Sequence, residues 1–227
     1  MEKLLGKNIL FITAHPDDES FLASGTIYRN RASGGRSVIV CATYGEEGKS
    51  HVKKAVTAKE LRSIRKAELE KVSQFLKVDK LHHLGLPDGK LPEYEKELYE
   101  KVMRIIRGSK PELIASFGSD GISGHVDHIA IGRVAKRAAR QCKIPFMAFS
   151  PTPSFAKQFE TAKRRRAHGV YATSIHHAPH TIKIKVDPKI KMKALLFHAS
   201  QMSDKNPFTH FSKKVIREIL NYEYFRM

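Results

Sequence analysis

Several features that would announce a compartment or a cofactor are missing from this sequence. Two cysteines in 227 residues, Cys41 in a strand-like run and Cys142 at the end of a helix-like one, are too few for a disulfide framework. They fit buried thiols in a reducing compartment, so the cytoplasm is the expected location. No stretch approaches the ~20 apolar residues of a membrane span, and the N-terminal MEKLLGKNILFITAHPDDE carries no signal-peptide cleavage pattern. No GxGxxG follows any strand-like run, which disfavours a nucleotide cofactor. Negative charge is scarce: 23 Asp and Glu against 41 Lys and Arg give a formal net charge of +18, and acidic partners come into consideration. The densest basic run, Lys163 to Arg166 (KRRR), suits a loop meeting an anionic substrate as well as a groove for a phosphate backbone. It contains no aromatic residue, and no nucleic-acid reading motif is present, so nucleic acid is disfavoured as a partner.

What is present is an alternation of strand-like and helix-like segments. Residues 8–14, 37–43 (SVIVCAT), 80–84, 112–117 (ELIASF) and 145–150 (PFMAFS) read as strands, short apolar runs of the kind buried inside parallel sheets. Between them, 19–32, 57–77, 93–107 and 125–141 place apolar residues at helical spacing; Leu61, Ile64, Leu69, Val72 and Phe75 make the second the clearest helix. Such βαβ repetition over residues 7–150 predicts an α/β fold with a mainly parallel sheet and helices on both faces. From 151 the pattern changes to a basic loop reaching about residue 180, a strand over 181–186 and helices near 189–202 and 212–225. The whole chain is expected to form one domain, with 151–227 a lid or flank on the 1–150 core.

Ligands of open α/β sheets bind at the carboxyl ends of the strands, and AHPDDE (14–19) lies at that end of the first strand. Asp17, Asp18 and Glu19 have an ordinary explanation there, since carboxylates at a helix start satisfy free N–H groups and complement the dipole. That explanation leaves out His15. His15 and Asp18, three residues apart across a tight turn, can point to one place, and the motif alone leaves capping and metal binding both open. A second cluster, GHVDH (124–128), ends the loop after the fourth strand, and His125 and His128 repeat the three-residue spacing. His15, Asp18 and one histidine of the second pair would supply three nitrogen and oxygen ligands, the pattern of a catalytic zinc site with one position open. Asp17, beside a ligand and free, suits a general base; the remaining histidine, held in its tautomer by Asp127, suits oxyanion stabilisation or protonation of a leaving amine.

AHPDDE followed by GHVDH resembles the LmbE/PIG-L-type zinc-dependent N-deacetylases. TYGEEG (43–48), IRKAEL (64–69), LGLPDG (84–89) and FHASQ (197–201) are similar to further stretches of that family, so the resemblance covers residues 8 to 201. It implies a Rossmann-like fold and one zinc ion per chain held by His15, Asp18 and His128. It also implies Asp17 as general base and His125, assisted by Asp127, as stabiliser of the intermediate. The substrate it implies is an N-acetylated amino sugar of the N-acetylglucosamine type, with Arg65 and Asp88 near that substrate. One departure is Val126, where the family pattern has proline; proline at a helix start only fixes φ, so the chemistry survives the change. His198 falls on a family position, and helix packing is its expected role.

Two other readings stand beside this one. A metal-dependent phosphoester hydrolase would commonly need two metals about 3.5–4 Å apart, and the carboxylates to bridge them are not evident. A basic nucleic-acid-binding protein with a vestigial metal site would account for the charge. His176, His177 and His180 have metal-like content but no neighbouring carboxylate, and Pro179 opposes a helix that would align them. His82 and His83 are adjacent on a strand and point to opposite faces. The sequence leaves a homo-oligomer open.

Overall fold

The strand β1 (Asn8–Thr13) is fully covered: Leu10, Phe11 and Ile12 are each 0% exposed, which requires neighbours on both edges and helices on both faces. It pairs in parallel with β2 (Arg36–Cys41) on one side, Ile9 beside Ser37, and with β4 (Leu113–Ser116) on the other, Ile9 beside Leu113. In the computed structural model, which describes residues 4–51, 55–157, 180–202, 206–209 and 211–227, seven strands form one sheet, in which β3 (Lys80–His83), β2, β1, β4, β5 (Phe146–Ser150), β7 (Tyr222–Arg226) and β6 (Ile182–Lys185) follow one another from edge to edge. The strands β3 (Lys80–His83) and β5 (Phe146–Ser150) continue the parallel part. The chain thus runs outward from β1 in both directions, and the switch point between β1 and β4 opens a crevice at their carboxyl ends. The basic run 163–168, His176, His177 and most of the expected basic loop from 151 to 180 lie outside the described residues.

The helices follow the apolar periodicity with two local departures. The segment expected as one helix from residue 19 is two, α1 (Asp18–Leu22) and α2 (Ser24–Ala32), broken at Ala23, whose φ is −146°. The helix α3 (Ala58–Phe75) starts with a reciprocal capping box, Thr57 accepting the Glu60 N–H and the Glu60 carboxylate accepting the Thr57 N–H. The helix α4 (Glu95–Ser109) precedes β4, and a single turn, α5 (Gly121–Gly124), leads into α6 (Val126–Cys142).

The C-terminal third does more than flank the sheet. After β6 (Ile182–Lys185) and α7 (Pro188–Leu196), helix α8 (Lys213–Asn221) ends early, and Tyr222–Arg226 forms β7. The helix expected through residue 225 gives way because YEYF alternates. Phe225 enters the core beside Phe149, and β7 joins β5 and β6 with antiparallel pairing. Glu223 points the other way and accepts the N–H groups of Gly25 and Thr26 at the start of α2, as well as the ammonium of Lys191 on α7. Lys191 and Glu223 are 0% and 2% exposed, so a buried ion pair ties the last strand to α7, and the same carboxylate holds the start of α2.

Candidate metal centre

At the crevice between β1 and β4 the two histidine motifs meet. His15 Nδ1 lies 3.1 Å from His128 Nε2, and Asp18 Oδ1 lies 3.4 Å from the same His128 nitrogen. The other Asp18 oxygen, Oδ2, accepts the N–H groups of Ala14 and His15, which turns Oδ1 toward His128. His128 Nδ1 faces the Gly121 carbonyl at 3.0 Å, so Nδ1 carries the proton and Nε2 presents a lone pair. His15 Nε2 faces two carboxylates, Asp88 Oδ1 at 3.0 Å and Asp127 Oδ2 at 3.1 Å, and must be the protonated nitrogen there. His15 Nδ1 is therefore left pointing at a lone pair, and a cation has to lie between the two rings.

A proton or a metal ion can be that cation. Donors about 2.0–2.1 Å from a tetrahedral zinc are separated from one another by about 3.3 Å, and 3.1 and 3.4 Å are the separations found. Each imidazole also gives its other N–H to a carbonyl or carboxylate, the arrangement that orients histidine ligands in metal sites. The donor set thus suits Zn²⁺ in both geometry and chemistry. A second set of nitrogens, from His15, His125 and His128, lies within 4.8 Å, as does a third set from His15, Asp88 and Asp127. The third is filled by hydrogen bonds. Asp127 accepts from Gly89 N, Leu91 N and His15, and Asp88 from Glu47 N and His15. These carboxylates serve the first site and do not form a second one, which removes the basis for a two-metal phosphoesterase among the described residues.

Charge follows the geometry. Burial opposes a cation at His15, yet Asp127, Asp88 and Asp18 raise its pKa from 6.5 to about 10. Burial opposes an anion at Asp18, but His128 and His15 hold its carboxyl well below the usual range. Burial and the adjacent carboxylates push Asp17 up to about 6 against the pull of Arg65. His125 goes down to about 4, from burial and from its neighbours His15 and His128, with Asp127 offsetting part of the effect.

Asp17 sits at the N-cap of α1 with φ 111°, a left-handed conformation that strains any residue with a Cβ. It caps nothing with its side chain. Arg65 holds it: the guanidinium donates to Asp17 Oδ2 at 3.2 Å and to the carbonyls of Pro16 and Gly45. A Cβ on Gly45 would come within 2.2 Å of this guanidinium, and one on Gly48 within 2.6 Å, which explains the glycines of TYGEEG. Glu19, read from sequence as a helix-start residue, is 0% exposed; it accepts the Asp17 N–H and bonds His198 Nε2 at 2.8 Å.

Three more of the residues singled out in the sequence have contacts that the sequence did not foresee. Arg65 is 4% exposed and donates to the Asp17 loop; Glu60 and Glu68 on the same helix serve Thr57 and Ser200. Asp88 Oδ1 faces His15 Nε2 at 3.0 Å. The hydrogen bond that joins Asp127 to His125 runs from the Asp127 backbone N–H to Nδ1, at 3.2 Å, and makes His125 the N-cap of α6. Helix α6 starts at Val126 without proline for this reason. The roles of Glu19 and of the Asp88–His15 contact escaped the sequence reading, although LPDG at the end of β3, next to β2 and β1, was a usable signal. His83 stacks on Tyr44 at 5.2 Å, away from the metal donors. His180 meets Tyr224 edge-on at 4.6 Å.

Several known proteins are similar to this chain. The family model described as "PIG-L: GlcNAc-PI de-N-acetylase" matches residues 10–139. The 1D-myo-inositol 2-acetamido-2-deoxy-alpha-D-glucopyranoside deacetylase of Thermobispora bispora is 27% identical over 97% of this chain and 88% of its own length. The probable N-acetyl-alpha-D-glucosaminyl L-malate deacetylase 2 of Bacillus anthracis is 29% identical over 88% of this chain and 83% of its own. Among solved structures, the N,N'-diacetylchitobiose deacetylase from Pyrococcus horikoshii superposes with a TM-score of 0.68 at 23% identity, covering 97% of this chain and 83% of that one, a likeness of fold.

Proposed function

The chain belongs to the PIG-L de-N-acetylase family, and on that premise we propose that it is a zinc-dependent hydrolase that removes the acetyl group from an N-acetylated amino sugar conjugate of the N-acetylglucosamine type. The observation that carries this reading is the opposition of His15 Nδ1 and His128 Nε2 at 3.1 Å, with Asp18 Oδ1 alongside and Asp17 next to them. His15, Asp18 and His128 would hold one Zn²⁺ per chain. When bound, the ion lowers the pKa of a water to near 7 and polarises the amide carbonyl.

The rest of the chemistry belongs to the side chains. Asp17, fixed by Arg65 and Glu19, accepts a proton from the attacking water as its oxygen bonds to the carbonyl carbon. His125 Nδ1 accepts from the Asp127 N–H, so Nε2 carries the hydrogen; with its pKa near 4 the ring is neutral at pH 7 and acts as a hydrogen-bond donor to the developing oxyanion. The C–N bond breaks as Asp17 returns its proton to the amine nitrogen, and carboxylate and amine leave. Asp127 and Asp88 position His15, and Arg65 positions Asp17.

The same reading takes residues 1–227 as one deacetylase domain, supported by the pairing of β7 with β5 in a common sheet. No helix among the described residues is long and apolar enough to cross a membrane, and both cysteines are free; we place the enzyme in the cytoplasm. The test is acetate release by zinc-loaded protein from N-acetylglucosamine linked to inositol, to malate and to a second sugar. Turnover of at least one conjugate that stops on chelation and returns with zinc is expected; no acetate from any of them would overturn the reading.

A further inference from the structure

Glu19 is a carboxylate sealed inside the protein, 0% exposed, and its two oxygens serve different partners. Oε2 accepts the Asp17 N–H at 3.1 Å, whereas Oε1 accepts the Ser20 hydroxyl at 2.5 Å and lies 2.8 Å from His198 Nε2. An ionised carboxylate only accepts, so Nε2 carries the hydrogen and donates it. His198 is 2% exposed. A buried charged pair of this kind is commonly no more stable than apolar side chains packed in its place. Helix packing therefore does not account for a histidine here; what the pair holds in place does.

It holds the backbone of Asp17. With φ 111° that residue is left-handed, a conformation that persists in a residue with a Cβ only where its surroundings over-determine it. Two clamps do so. Arg65 takes the side chain at Oδ2, together with the carbonyls of Pro16 and Gly45; Glu19 takes the N–H. One helix arranges both. Glu68, one turn after Arg65 on α3, accepts the Ser200 N–H at 2.8 Å and the Ser200 hydroxyl at 2.7 Å. These two bonds fix the short turn Ala199–Gln201 directly after His198, and the His198 N–H closes on the Leu195 carbonyl at 3.0 Å. The imidazole is thereby seated on Glu19 from both sides of the chain.

We propose that His198 is a positioning residue for hydrolysis: by holding Glu19 Oε1 it keeps Oε2 on the Asp17 N–H, and so fixes the loop that carries the Asp17 carboxylate. This rests on the reading of Asp17 as general base given above. Without His198 the Glu19 carboxylate turns toward other donors, the Asp17 N–H is released and the left-handed residue relaxes. The metal donors keep their own partners, His15 those on Asp88 and Asp127, Asp18 those on Ala14 and His15, and His128 that on Gly121. Loss of His198 therefore acts on the turnover step and not on binding of metal or substrate.

The experiment compares the zinc-loaded full chain with His198→Leu, with His198→Gln, whose amide can donate to Glu19 in place of Nε2, and with Ile106→Ala, a core truncation near the far end of α4. Acetate release from N-acetylglucosamine linked to inositol, to malate and to a second sugar gives kcat and KM, chelator competition gives zinc affinity, and NMR gives exchange of the Asp17 amide. His198→Leu is expected to lose about 10²-fold in kcat, the effect of a misplacement of about 1 Å, with KM and zinc affinity close to wild type. Its Asp17 amide should exchange about tenfold faster or more. His198→Gln should recover most of both, and Ile106→Ala should lose stability while keeping both. A His198→Leu protein with kcat within about threefold of wild type overturns the proposal. So does a His198→Gln protein no better than His198→Leu, or a matching loss of kcat in Ile106→Ala, which would trace the effect to folding alone; a loss carried by zinc affinity overturns it too. If no protein releases acetate, wild type included, the hydrolase reading falls and the Asp17 amide still decides: faster exchange in His198→Leu but not in Ile106→Ala supports the hold, unchanged exchange overturns it. If His198→Leu does not fold, Ser200→Ala, which loosens the turn after His198, takes its place, with about a tenfold loss of kcat expected and an unchanged kcat overturning the proposal.

Discussion

Asp127 stands behind His15 and beside His125 at once: its carboxylate accepts the His15 Nε2–H at 3.1 Å, while its own backbone N–H is donated to His125 Nδ1 at 3.2 Å. One residue at the first turn of α6 therefore fixes the tautomer of a metal donor and that of its neighbour. Its two oxygens also take the N–H groups of Gly89 and Leu91.

Asp127→Asn replaces an acceptor-only group by one that must point two hydrogens at existing donors. Zinc affinity should fall 10–100-fold, the usual cost of losing a carboxylate behind a histidine ligand. Stability should fall by about 1–3 kcal/mol for the N–H group left unpaired. Competition against a chelator of known affinity and urea unfolding measure the two; unchanged zinc affinity would remove Asp127 from the support of His15.

Asp17→Asn keeps the shape of the loop and the Arg65 contact but cannot take a proton. Zinc content should stay at the wild-type level while hydrolysis drops about 10²–10⁴-fold. A variant that holds metal and keeps full activity would mean that another group is the base.

Arg65→Met tests the positioning of Asp17 through pH. The guanidinium holds the Asp17 carboxyl down against burial, which pushes it up to about 6. Without the positive charge the pKa rises further, less carboxylate is available at a given pH, and the acid limb of kcat/KM should move to higher pH. Arg65→Lys, which keeps the charge but not the fork that reaches Pro16 and Gly45, should restore most of the limb and less of the rate. An acid limb identical in all three proteins would show that Arg65 acts on structure alone.

Lys191→Met leaves the Glu223 carboxylate buried without its partner cation. A loss of about 3–5 kcal/mol is expected from breaking such a pair, with zinc affinity unaltered because neither residue touches the donors. Adding Glu223→Gln should recover part of the loss. Denaturant unfolding of the single and double variants gives the coupling, and a cost below 1 kcal/mol for Lys191→Met would mean that the pair does not lock the C-terminal strand.

Much of this molecule was legible before its structure. Continuous apolar runs read correctly as parallel strands because β1, β2 and β4 are buried on both faces, and the paired His/Asp motifs read correctly as neighbours because the topology brings strand ends together. The misreadings have physical causes. The strong amphipathic pattern of residues 213–221 runs into YEYF, and only the free edge of β5 decides that those residues become strand. Arg65 and Asp88 were placed near the substrate by their resemblance to family positions, and the contacts they make inside the protein were not foreseen. Their burial, which turns them toward Asp17 and His15, depends on loop contacts between distant segments that periodicity does not encode. Glu19 looked like a capping carboxylate, since a sequence cannot show that His198 closes over it from 179 residues away.

The three segments that Asp127 joins, after β1, after β3 and before α6, have no more than single helical turns to protect their amides. Loop N–H groups ordinarily exchange their hydrogens with solvent by local opening. Those of Gly89 and Leu91 point into a fully buried carboxylate on another element, and cannot open without taking His15 and the start of α6 with them. In deuterated buffer these two amides should exchange as slowly as those of β1, so that the carboxyl edge of the sheet behaves, in time, like its centre.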